Sequence, residues 1–82
     1  MPHIAVKMFP GRTEAQKQEF AAKVVEAAMS VFGSSASSLS VAITEVEPSD
    51  WDAKVYDPEI AAAGSDLYKR PGYGSIAIGS DG

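Results

Sequence analysis

A single strand–helix–strand pattern, confined to the first 46 residues, most limits what this chain can become. Residues 3–9 alternate, with Ile4, Val6 and Met8 on one side and His3, Ala5, Lys7 and Phe9 on the other. That period of two reads as a strand over about 3–9. Pro10-Gly11 supplies turn chemistry at its end. Thr13-Glu14-Ala15-Gln16 then matches a capping box, the Thr13 hydroxyl accepting from the Gln16 amide while the Gln16 side chain reaches back. A helix is predicted over about 14–32. Phe20, Val24, Ala27, Ala28 and Val31 form its apolar stripe and Gly33 its stop. Leu39, Val41 and Ile43 alternate with Ser40, Ala42 and Thr44 and predict a second strand over about 39–46. Strand, helix and strand in this order imply a right-handed parallel crossover, an α/β fold.

That pattern does not close a core. A two-stranded sheet is marginal in water, and parallel strands need both faces covered. The chain has 82 residues, a size that buries only about 60% of its unfolded surface. It has no Cys, which removes disulfides and thiolate zinc sites, and its one His, His3, makes no histidine cluster. That leaves a well-packed monomer or an oligomer, and the open strand face favours a symmetric copy that extends the sheet.

Beyond Pro48 the signals weaken. Residues 49–56 carry Trp51 and Tyr56 among acidic neighbours and read as an ordered loop. Asp57-Pro58-Glu59 has the chemistry of a helix start, and a second helix is predicted over about 58–69, with Ile60, Leu67 and Tyr68 as apolar contacts. Pro71-Gly72 stops it. Residues 75–78 predict a short edge strand, and Ser80-Asp81-Gly82 a frayed tail. One domain over 1–82 is expected.

Composition narrows the function. The net charge is −4, and no basic stripe offsets it, so no nucleic acid is expected as a partner. No apolar run approaches membrane-spanning length, and no leader precedes Ile4, so no membrane and a cytoplasmic location are expected. The acidic run from Glu45 to Glu59 lacks calcium-loop spacing, and Gly72-Tyr73-Gly74 lacks the Gly-Lys-Ser/Thr of a phosphate loop.

Pro2 carries the most chemical information. Met1 is normally removed before a small second residue, leaving a rigid secondary amine at the start of a strand. An α-amino group titrates near 7.7–8.0. Burial lowers that value toward neutrality, where a base transfers protons best. Arg12, just past the turn, is a fork of donors suited to a carboxylate, or a solvated surface residue. Trp51 and Phe9 could wall an apolar pocket.

These residues, taken in order, resemble the 4-oxalocrotonate tautomerase family: Met1-Pro2-His3-Ile4-Ala5-Val6-Lys7, Gly11-Arg12-Thr13, Gln16-Lys17 and Val41-Ala42-Ile43-Thr44-Glu45. The later segments, Trp51, Asp57-Pro58-Glu59-Ile60-Ala61 and Lys69-Arg70-Pro71-Gly72-Tyr73, are similar to its longer, dimeric phenylpyruvate tautomerase (PptA) branch. The resemblance covers roughly residues 2–70. It implies a β-α-β protomer whose dimer forms a four-stranded sheet under two long helices. It implies Pro2 as the general base of a keto–enol tautomerase that uses no cofactor and no metal. It implies Arg12 as the carboxylate anchor and Trp51 as pocket wall. Ser40 stands where the family often has a second arginine. That difference favours a 2-keto/enol monocarboxylate such as phenylenolpyruvate over a dicarboxylate such as 2-hydroxymuconate. Two alternatives stay open: a non-catalytic dimeric ligand-binding or structural module, and a Pro2-dependent hydratase or dehalogenase.

Overall fold

The computed structural model describes residues 1–77. The chain comprises two compact units, Met1–Glu47 and a second from Pro48 onward.

The first unit is the expected β-α-β arrangement. Strand β1 spans His3–Met8, helix α1 Glu14–Phe32 and strand β2 Ser40–Glu45. The strands pair in parallel, with His3 opposite Ser40 and Met8 opposite Glu45. Both are slightly shorter than expected, but the backbone pairing continues past them. Ser40 N–H donates to the Pro2 carbonyl at 3.3 Å, and Val46 N–H to the Met8 carbonyl at 2.8 Å. Alternation decides the faces as anticipated. Ile4, Val6, Met8, Val41 and Ile43 are half-buried, while His3, Ala5, Lys7, Ala42 and Thr44 are exposed.

Local chemistry sets both ends of α1. Thr13 N–H donates to Gln16 Oε1 at 2.9 Å, and Gln16 N–H to Thr13 Oγ1 at 3.1 Å, satisfying two of the four orphan donors. Gly33 adopts φ 72°, a left-handed stop in which its N–H donates to the Met29 carbonyl at 3.0 Å.

The stripe along α1 differs from the expected one. The covered positions are Lys17, Ala21, Val24, Val25 and Ala28, with Ala28 fully buried. Phe20 is 46% exposed and Val31 76%, with Phe32 at 71%. The helix is apolar on more than one side, and Lys17 places its aliphatic stem on the sheet-facing side. Spacing alone does not choose between two apolar sides; the sheet chose the one with the smaller residues.

The second unit departs from expectation in helix placement. Its helix runs Asp52–Ile60, not 58–69, and continues as tighter turns over Ala61–Asp66. Pro58 lies inside it and Asp57 is not its cap. A proline ring removes one donor and crowds the carbonyl four residues back. The turns widen in response: Ala61 N–H reaches the Tyr56 carbonyl, five residues back. Gly64, at φ 59° and ψ −131°, breaks the helical path, so the helix never reaches 69. Leu67 is half-buried as expected, but Tyr68 is 99% exposed. Residues 75–77 form a turn rather than a strand. Ile78 and Ser80-Asp81-Gly82 lie outside the described residues.

Tyr56 organises this unit. It is 5% exposed, and its hydroxyl accepts from Ile76 N–H at 3.1 Å and donates to the Tyr73 carbonyl at 3.3 Å. The Tyr56 and Tyr73 rings lie 5.4 Å apart at 44°, within the range of favourable aromatic pairs. Gly74 is required here twice over. Its φ is 80°, and a Cβ would overlap the Tyr56 hydroxyl. Gly74→Ala therefore combines left-handed strain with overpacking and should destabilise this segment by about 2–4 kcal/mol. Faster amide hydrogen exchange at Ile76, with α1 unchanged, is the expected readout.

Candidate active site

Pro2 and Ser40 lie together at one end of the parallel pair. The Ser40 N–H to Pro2 carbonyl bond holds the backbone there. Ser40 Oγ also lies 2.7 Å from His3 Nδ1, across the exposed face of the sheet. Pro2 is half-buried, while Met1 is 103% exposed and projects into solvent.

Phe9 and Arg12 lie past the other end of β1. Six strand residues at about 3.3 Å each separate the two ends by about 20 Å. Phe9 and Arg12 share a cavity of about 450 Å³ with Met8, Pro10 and Gly11. Gly11 takes φ 126° in the turn that delivers Arg12, a conformation open to glycine. A second cavity, of about 380 Å³, is lined by Val6, Met8, Phe20, Lys7, Arg12, Gln16 and Lys17. Arg12 borders both cavities. Among the described residues it has no hydrogen bond or ion pair, so its donors are available to a ligand. A guanidinium beside apolar walls can bind a carboxylate whose body is apolar.

Trp51 belongs to the second unit. It is half-buried, and its indole N–H donates to the Tyr73 hydroxyl at 2.9 Å. Tyr73 thereby fixes the ring plane. Pro2 with Ser40, and Phe9 with Arg12, are thus two separate groupings within the first unit, with Trp51 in the other unit.

The pairing of Lys17 with Glu45 was not legible in the sequence, where Glu45 stands only as the start of an acidic run. Lys17 Nζ lies 3.1 Å from Glu45 Oε2 and 3.8 Å from Glu14 Oε2. The hydrogen bond to Glu45 raises the Lys17 ammonium above its ordinary pKa, with desolvation opposing and Glu14 adding. The Glu14–Lys17 spacing of three was legible as a helical pair. The Glu45 partner, 28 positions away, carried no local signal. Among the described residues no group of His, Asp or Glu is placed to hold a metal, and no helix is long and apolar enough to cross a membrane.

A family model described as tautomerase enzyme matches residues 2–55. A probable tautomerase of Xylella fastidiosa (strain 9a5c) is 47% identical over 77 residues, covering 94% of this chain and 94% of the relative. Tautomerase PptA of Klebsiella pneumoniae (strain 342) is 45% identical over 74 residues, covering 89% of this chain and 97% of that protein. Among solved structures, YwhB, a homologue of 4-oxalocrotonate tautomerase, superposes with a TM-score of 0.55 at 39% identity, over 56% of this chain and 75% of that one. The strand–helix–strand order, the parallel register and these matches agree: the chain belongs to the 4-oxalocrotonate tautomerase family, in its PptA branch, and is an isomerase of the keto–enol tautomerase kind.

Proposed function

We propose that the reaction is ketonisation of a monocarboxylic enol with an apolar or aromatic body, of the phenylenolpyruvate type, with the Pro2 amine as general base once Met1 is removed. The neutral amine takes the enol hydroxyl proton as the C–O bond becomes C=O. The resulting prolinium returns a proton to the neighbouring carbon, so the amine ends as it began. Nothing is oxidised or reduced, and no cofactor is called for. The observation that carries this reading is Pro2 at the start of a paired strand, its carbonyl held by Ser40 N–H at 3.3 Å. A base positioned by paired backbone loses little freedom on binding substrate.

Arg12 anchors the substrate carboxylate, and Phe9 walls the apolar body beside it. Ser40 offers a neutral hydroxyl at the Pro2 end, where a second cation would favour a dicarboxylate. Arg12→Ala should raise KM for phenylenolpyruvate by about 10–100-fold, in proportion to a charged hydrogen bond of about 1.5–3 kcal/mol, and lower kcat by less. Ultraviolet absorbance follows the reaction. An unchanged KM overturns the anchor role.

Pro2 and Arg12 lie at opposite ends of β1, so a site that uses both draws on two copies of the chain. Two β1 strands paired antiparallel about a two-fold axis would bring the start of one to the end of the other. The exposed Phe20, Val31 and Phe32 of α1 and the open sheet edges also support a homodimer.

A further inference from the structure

The two lysines that line the 380 Å³ cavity beside Arg12 bear on which acids it accepts. Lys7 already has an interaction of its own. Lys17 is held by Glu45 at 3.1 Å, with 21% of its side chain exposed and 39% of that of Glu45. Glu14, at 3.8 Å, is 77% exposed and well screened by solvent. The cavity thus contains a second ammonium whose charge is cancelled from the neighbouring strand. Its floor of Val6, Met8 and Phe20 is apolar.

We infer that Glu45 is a specificity-determining residue: by neutralising Lys17 it leaves Arg12 to bind one carboxylate and keeps this cavity from accepting a second. The inference rests on the reading of Arg12 as carboxylate anchor and extends it to substrate class. The raised Lys17 pKa is consistent, since the ammonium stays charged yet committed to Glu45 across the neutral range. Freed of Glu45, the same ammonium borders the same apolar cavity as the guanidinium, where a flexible dicarboxylate can reach both.

The test uses the intact protein and two unreactive probes of equal carbon number, adipate and hexanoate, with dissociation constants from NMR chemical-shift titration. Glu45→Gln keeps the shape and removes the charge. Adipate should bind about fivefold more tightly to Glu45→Gln than to the wild type, the scale of one partly exposed charge pair. Hexanoate should change less than twofold. Adding Lys17→Met should abolish the gain, and Lys17→Met alone, which leaves the Glu45 carboxylate unpaired, should not tighten adipate binding. No adipate gain, an equal gain for both probes, or a gain that survives Lys17→Met overturns the inference. Arg12→Ala reads the anchor separately. Unchanged hexanoate affinity there would sink the anchor role, while the Lys17-dependent adipate difference still decides the role of Glu45. Unchanged amide spectra away from residues 14–17 and 45 exclude misfolding as the cause.

Discussion

Blocking the prolyl nitrogen should abolish most of the activity, and replacing the ring should remove only part of it. An amino terminus extended past Pro2 makes its nitrogen an amide, which has no basicity. The general-base contribution of about 10²–10⁴-fold in kcat is then lost in full. Pro2→Ala leaves a primary amine, which titrates near 7.7–8.0 and still accepts a proton. It lacks the ring that holds the nitrogen in one direction from the strand, so a loss of about 10–100-fold is expected. The ranking of extended form below Pro2→Ala below wild type is the signature of a backbone amine acting as base. Kinetics of phenylenolpyruvate ketonisation, with intact mass to establish each amino terminus, provide the measurement. An extended form with wild-type kcat removes Pro2 from the mechanism.

The second large effect is a recovery. Pro2→Ala and Arg12→Ala homodimers should each be impaired, yet their mixture should regain activity. If Pro2 of one copy works with Arg12 of the other, a mixed dimer has one site with both residues intact and one with neither. Random exchange makes half of the dimers mixed, so about a quarter of wild-type activity is expected. If both residues act within one chain, every site in the mixed dimer lacks one of them and nothing is regained. The geometry behind the expectation is β1 itself, whose six residues hold Pro2 and Arg12 apart. Unfolding and refolding the two variants together, then assaying with substrate below the wild-type KM, where the raised KM of Arg12→Ala depresses its rate, distinguishes the outcomes. A mixture no more active than the sum of its parts overturns the shared site.

The first unit was legible because its signals are local. Alternation marked both strands, and Thr13 with Gln16 and Gly33 marked both ends of α1; each feature involves residues within a few positions. The second helix was misread for a reason of the same scale. Asp57-Pro58 has the composition of a helix start, but a helix already under way absorbed Pro58 by widening its turns. Gly64 then ended it early, and Tyr68, counted as an apolar contact, is in solvent. Of the residues singled out for chemistry, Pro2 and Arg12 were visible by type and place, and Trp51 by type. Their separation followed from the strand predicted between them, which β1 bears out. The partner of the Trp51 indole, the Tyr73 hydroxyl 22 positions away, was out of reach.

The sequence by itself determined a strand–helix–strand unit, with Pro2, Arg12 and aromatic residues as its candidate chemistry. Periodicity and capping act over a few residues, and one dimension suffices for them. Only the tertiary structure decided which side of α1 is covered and that Lys17 pairs with Glu45. Those outcomes depend on distances between residues far apart in the chain, set by packing and by the parallel register of β1 and β2.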